Sequence, residues 1–248
     1  GEAASIHRNP EEIVEVLNEA YSEIKPRAHR HLIISGGTIT SSYKGVSDLE
    51  YYASRLEAIA KGMRRWYPAG IQMGPPPTRE GWQRIKDTGI GSVQPNLEIM
   101  DKEKFEKICP GKSKNVGYDD WIRRMIVGAE VFGPGRIIPN FVAGVELSKP
   151  YGFTSVEEAV ESDLKGFEFL MQNGVFPRMA IWLNEGRSKL AGQPPAPMEY
   201  YIKLGKGYKE LRDRYGFHDL LCTCRGCSVQ DALYDWDYAE KVEKEKQA

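Results

Sequence analysis

Asn96 and Glu98 flank a single leucine in the segment Gln94-Pro95-Asn96-Leu97-Glu98. In extended backbone successive side chains alternate, so the amide and the carboxylate face one way and Leu97 the other. A carboxylate beside an amide suits a ribose diol, because the carboxylate can accept both hydroxyl hydrogens. A helix cap next to a surface acid is the plainer reading. Ser35-Gly36-Gly37-Thr38 is a second tip of this kind. Its bare amides can meet carboxylate or phosphate oxygens, and its carbonyls an ammonium; a tight turn would use the same residues. It is no dinucleotide fingerprint, since the third glycine and the immediate helix are missing. Ala143-Gly144-Val145-Glu146 is the third tip. Each closes a short apolar run, and α/β folds bind ligands at the carboxyl ends of their strands. The three together point to a polar small molecule.

Arg123 and Arg124 lie on a helix pattern after the Glu98 loop, where one could clamp a carboxylate through its two-pronged guanidinium. Either could equally face solvent. Near the end of the chain, His218, Cys222, Cys224 and Cys227 supply four soft or borderline ligands. Such a set can enclose zinc or three corners of an iron–sulfur cluster, and Gly226 eases the turn this needs. The spacing is that of neither a zinc ribbon nor a ferredoxin, and free or buried thiols remain the alternative. Cys109 stands alone as a structural thiol or a fourth ligand. Clustered cysteines are not a disulfide framework, which spreads its cysteines to close loops.

The elements that must position these residues alternate along the chain. Asn9 caps a first helix with Pro10 at its first position and Glu12 completing a capping box. Ile13, Val16, Leu17, Ala20 and Ile24 form its apolar stripe. Leu32-Ile33-Ile34 reads as a buried strand, 48–66 as a helix and 71–73 as a strand stopped by Gly74-Pro75-Pro76-Pro77. Then come a helix over 78–87, a strand over 90–94, helices over 101–108 and 118–132, and a strand over 136–142. A helix over 154–173 opens with Thr154 and Glu157 as a capping box, followed by a strand over 178–183 and a helix over 198–215. Five strands, each leading to a helix, imply an α/β protein with a parallel sheet and right-handed crossovers. An open doubly wound sheet and a (β/α) barrel both fit. The reading gives one domain over 1–215 and a Cys-rich extension with a charged tail over 216–248.

The bulk properties narrow the function classes. The chain has 248 residues, 41% apolar and 28% charged, with 34 basic against 35 acidic residues. With a net charge of −1, it has no basic field for nucleic acid. No apolar run approaches the roughly 20 residues of a membrane helix, and no signal peptide opens the chain. A cytoplasmic protein without nucleic-acid or membrane partners is expected.

The order of these motifs resembles the biotin-synthase-related branch of the radical S-adenosylmethionine enzymes. It runs Gly-Gly-Thr at one strand end, Asn-Leu-Glu at a later one, a helix with arginine, then Phe141-Val142-Ala143-Gly144-Val145-Glu146. The resemblance covers about 9–215; the single motifs are loose, and their order carries the likeness. It implies a partial (β/α)6 barrel of TIM type binding S-adenosylmethionine at its top. Ser35, Gly36, Gly37 and Thr38 would meet the methionine amino group, and Asn96 and Glu98 the ribose. Arg123 or Arg124 would approach the methionine carboxylate, and Gly144 the adenine-side loop. In such enzymes a reduced [4Fe-4S] cluster, fed by a ferredoxin or flavodoxin, splits the sulfonium, and the 5′-deoxyadenosyl radical takes hydrogen from a small-molecule substrate. Gln72, Met73 and Asn140 would face that substrate by strand position.

The departure from the family is its C-x3-C-x2-C cluster loop, which has no counterpart in this sequence, and the first strand is missing with it. Three explanations compete: a fragment, a degenerate barrel, or a cluster supplied by another polypeptide or by the tail cysteines. Cys222, Cys224, Cys227 and His218 would then hold an auxiliary cluster or zinc. The rival functions are an inactive barrel serving as a metal-binding accessory subunit, and a non-radical barrel enzyme with a structural zinc tail.

Overall fold

A computed structural model describes residues 9–23, 32–36, 44–64, 69–183, 186 and 188–217. Gly37, Thr38, His218, Cys222, Cys224 and Cys227 lie outside the described residues, as do Ile24 and the charged tail.

The chain is α/β, with strands and helices in alternation. Helix α1 (Pro10–Glu23) leads to β1 (Leu32–Ser35), α2 (Asp48–Gly62), β2 (Ala69–Gln72), α3 (Arg79–Lys86) and β3 (Ser92–Gln94). Then follow α4 (Lys102–Ile108), α5 (Pro110–Asn115), α6 (Tyr118–Phe132) and β4 (Asn140–Ala143). A 3-10 turn (Val145–Leu147), α7 (Val156–Gln172), β5 (Arg178–Ile181) and α8 (Met198–Arg214) complete it.

All strand pairs are parallel, in the orders β1-β2-β3 and β4-β5. Two further parallel bridges, Val93 with Ile137 and Glu98 with Phe141, stitch the two sheets side by side. Among the described residues no pairing joins β1 to β5, so no closed barrel forms. Register places Ser35, Gln72 and Gln94 in one row across the ends of β1, β2 and β3. That row is the floor on which the polar residues meet.

The core lies between the strands and the helices that cover them. Trp82, Trp121, Phe105, Phe141, Phe167, Tyr200 and Tyr208 are all fully buried in it. Burial of aromatic side chains on this scale contributes about 1.5–3 kcal/mol apiece. The hydrophobic effect therefore fixes α3, α6, α7 and α8 against the sheet.

Several boundaries differ from the sequence reading, for local reasons. Helix α2 stops at Gly62, with Met63 as its C-cap, short of the expected 66. On α7 the cap is Ser155, whose hydroxyl accepts from the Glu158 N–H at 3.2 Å, one residue later than the Thr154–Glu157 box. Thr154 Oγ1 instead donates to the Glu158 carboxylate at 3.1 Å. Helix α5 falls between the helices expected over 101–108 and 118–132, with Pro110 at its first position, where the missing N–H costs nothing. Val16, placed on the apolar stripe of α1, is 64% exposed.

Candidate functional site

At the C-terminal ends of β1–β3 a hollow of about 260 Å³ opens, and Gly36, Gln72, Met73, Asn96 and Glu98 all line it. Its remaining wall comes from Gly74, Gln94, Lys112 and Trp121. Residues 36 to 121 in sequence thus converge on one space through the parallel register.

The floor is a directed row of hydrogen bonds. Ser35 Oγ donates to Gln72 Oε1 at 2.9 Å, and Gln72 Nε2 donates to Gln94 Oε1 at 3.1 Å. Gly36 closes β1 where a side chain has no room: a Cβ there would lie 2.2 Å from the Tyr52 hydroxyl. Tyr52 is itself buried, and burial pushes its phenol up to about 12.

Asn96 and Glu98 form the opposite wall, with Leu97 fully buried between them. Asn96 Oδ1 accepts the Asn140 N–H at 3.1 Å, which ties the exit of β3 to the start of β4. Glu98 has φ +77°, a left-handed conformation that non-glycine residues seldom adopt. Two backbone bonds hold it there: its N–H donates to Asn140 O at 3.2 Å, and its carbonyl accepts from Val142 N–H at 2.8 Å. Strain held in place by surrounding structure is characteristic of ligand clamps.

Lys112, from α5, donates to Glu98 Oε1 at 2.6 Å and to Asn96 O at 2.5 Å. Its ammonium sits 5.1 Å from the centroid of the Trp121 ring, within cation–π range. The Trp121 indole N–H donates to Pro95 O at 3.0 Å, which fixes the ring plane against the hollow.

Neither Arg123 nor Arg124 lines the hollow. Both pair with Asp120 on their own helix, and Arg124 Nη1 also donates to Pro75 O at 3.3 Å. The guanidinium forks therefore fasten α6 to the proline turn after β2. Asp120 stands three and four residues before them in the sequence, the spacing of intrahelical ion pairs, so this pairing was open to reading. Asn140 is half-buried on β4, outside the hollow's lining.

Gly144 sits at the tip of β4 with φ +104°, a conformation open to glycine, and a Cβ there would lie 2.7 Å from the Tyr201 hydroxyl. Its N–H donates to Glu146 Oε2 at 2.8 Å. Glu146 and Asp163 are each 1% exposed, and both meet the Tyr200 hydroxyl. Burial raises the Glu146 carboxyl to about 7 and holds Asp163 well above the usual carboxylate range, with Glu146's charge adding to the second. Glu146 is part of a motif that the sequence reading quoted. Asp163 and Tyr200, 17 and 54 residues further on, could be found only from the fold.

Metal ligation does not arise from the described residues: among them no three His, Cys, Asp or Glu side chains gather as a metal would require. Cys109 is half-buried between α4 and α5, and burial pushes its thiol up to about 11, so it stays protonated at neutral pH.

No known protein-family profile matches the chain. It is 24% identical over 188 residues to bacteriochlorophyllide c C-7(1)-hydroxylase of Chlorobaculum limnaeum, covering 74% of this chain and 44% of that protein. The chain thus spans less than half the length of this relative. The likeness is a distant one, and it is to an enzyme.

Proposed function

We propose that the chain is the S-adenosylmethionine-binding part of a radical S-adenosylmethionine enzyme, a partial (β/α)6 barrel acting on a small molecule. The observation that carries this reading is the convergence of Gly36, the Gln72–Gln94 row, Asn96 and Glu98 on one hollow at the strand ends. Two further findings support it: the order of the motifs, and the distant likeness to a hydroxylase.

The donor set of the hollow fits a nucleoside with an amino-acid tail. The Glu98 carboxylate would accept the ribose hydroxyls, and the Trp121 face and Met73 offer apolar and polarisable surface to the base or the sulfonium. The Gln72 and Gln94 amides and the Gly36 backbone would meet the polar tail. Held there, S-adenosylmethionine would be a source of the 5′-deoxyadenosyl radical, for which a reduced [4Fe-4S] cluster would supply the electron. The described residues gather no ligand set for that cluster. An auxiliary cluster or zinc at Cys222, Cys224, Cys227 and His218, a ferredoxin- or flavodoxin-type reductant and a cytoplasmic location belong to the same proposal. Hydrogen abstraction at an unactivated carbon, of the kind a hydroxylation would begin with, is the reaction class proposed.

Calorimetric titration with S-adenosylmethionine tests the reading. Binding that is lost in Glu98→Ala and kept in the exposed α7 control Glu161→Ala supports it. Equal binding by both variants contradicts it.

A further inference from the structure

Lys112 comes from α5, a helix that the sequence reading lacked, and its ammonium enters the hollow between three electron-rich partners. These are the Glu98 carboxylate at 2.6 Å, the Asn96 carbonyl at 2.5 Å and the Trp121 ring at 5.1 Å. Among the described residues lining the hollow, Lys112 is the one cation and Glu98 the one anion, so the two charges offset each other. A carboxylate, a carbonyl and an aromatic face are what a bound cation requires. Lysine already fills that role.

We propose that Lys112 sets the charge selectivity of this site. By balancing Glu98, it lets the hollow take a cationic sulfonium nucleoside and the neutral thioether nucleoside of the same shape with similar affinity. The inference rests on the nucleoside reading above. It also separates two properties of Glu98, whose geometry serves the ribose while its charge is spent on Lys112. Removing the ammonium leaves the carboxylate, the carbonyl and the ring facing the ligand, and a sulfonium gains where a thioether does not.

The test is the ratio of two dissociation constants, for S-adenosylmethionine and S-adenosylhomocysteine, measured by calorimetry on each variant. A ratio cancels changes in packing or ribose contact that affect both ligands alike. The wild type is expected to hold the two within about threefold, and Lys112→Met to favour the sulfonium by about tenfold more, the size expected for one unit charge about 4 Å away in an open hollow whose effective dielectric, about 60, is closer to that of water than of a protein interior. Lys112→Gln, which still donates to the Asn96 carbonyl, should shift the ratio the same way should the methionine variant fold poorly. Lys112→Arg keeps the charge and should leave the ratio unchanged, and Glu98→Gln should move it in the opposite direction. If both ligands bind and the ratio is the same in all variants, Lys112 has no such role and the nucleoside reading stands. A wild type that already separates the ligands by more than tenfold also overturns the inference. If neither ligand binds the wild type at millimolar concentration, the nucleoside reading itself falls and takes the inference with it.

Discussion

Tyr200 Oη stands 2.8 Å from Asp163 Oδ2 and 3.0 Å from Glu146 Oε2, in the buried space between α7, α8 and the turn after β4. A phenol has one proton to donate, so a hydrogen bond to each carboxyl requires one of them to return a proton. Glu146 Oε2 already accepts the Gly144 N–H at 2.8 Å, as a carboxylate would. Asp163 Oδ1 is buried with no hydrogen-bond partner among the described residues, a situation far more costly for a carboxylate than for a neutral acid. Once Glu146 ionises, at about pH 7, the arrangement therefore runs in one direction, from a protonated Asp163 through Tyr200 to the Glu146 carboxylate.

Asp163→Asn should be tolerated, because an amide can donate to Tyr200 Oη where the acid did. Asp163→Leu should cost about 1–3 kcal/mol, since it leaves the buried hydroxyl with one partner fewer. Urea unfolding of the two variants at neutral pH checks this. Equal destabilisation by both would show that Asp163 is not the donor.

The same cluster makes stability depend on pH. Burial raises both carboxyls above their ordinary values, so between those values and the raised ones the folded state binds more protons than the unfolded state. Stability is then present at low pH and falls as pH rises from about 4, through about 7 for Glu146, by up to about 1.4 kcal/mol per pH unit for each proton involved. Asp163→Asn removes its share, so the difference between wild type and variant should widen in the variant's favour over that range. A difference that is flat with pH would contradict the assignment. Asp101, capping α4 and paired with Lys104, is the other acid whose charge reaches Asp163.

Gly36→Ala should destabilise by about 1–3 kcal/mol, as overpacking does, because the added Cβ would meet the Tyr52 hydroxyl at 2.2 Å. Tyr52→Phe removes that oxygen and should recover part of the loss in the double variant. Denaturant midpoints of the two singles and the double report the coupling directly.

Arg123→Ala is expected to change neither stability by more than about 0.5 kcal/mol nor ligand affinity, since the side chain is exposed, its ion pair is within its own helix and its bond to the Pro77 carbonyl is long at 3.5 Å. Arg124→Ala should lower stability through its bond to the Pro75 carbonyl and leave affinity for S-adenosylmethionine within about threefold. A tenfold loss of affinity in either variant would instead give that arginine a ligand.

The alternation of strands and helices was legible because apolar runs such as Leu32-Ile33-Ile34 end at glycine- or proline-bearing turns, and the five strands appear where those runs lie. Asn96 and Glu98 share a wall with Leu97 buried between them, as alternation requires, although the left-handed backbone at Glu98 left no mark in the sequence. Lys112 is hidden for a different reason: it lies on the six-residue helix α5, which is too short to show an apolar period, and its opening Pro110 is recognised as a first helical position only when the turns after it are known. Trp121 and Gln94 carry no signal of their own, because an aromatic on a helix and an amide on a strand are ordinary core residues until the fold brings both to one hollow. The Glu146–Tyr200–Asp163 cluster joins residues from three elements, and no local pattern announces such a contact.

The methyl resonance of Met73 gives the most direct test of the central claim, since this methionine lines the hollow while Met198 is 71% exposed on α8. With methyl-labelled methionine, and Met73 assigned through Met73→Leu, titration with S-adenosylmethionine should shift the Met73 signal and leave Met198 in place. Saturable binding that moves Met198 or other methionines and leaves Met73 unshifted would contradict the account.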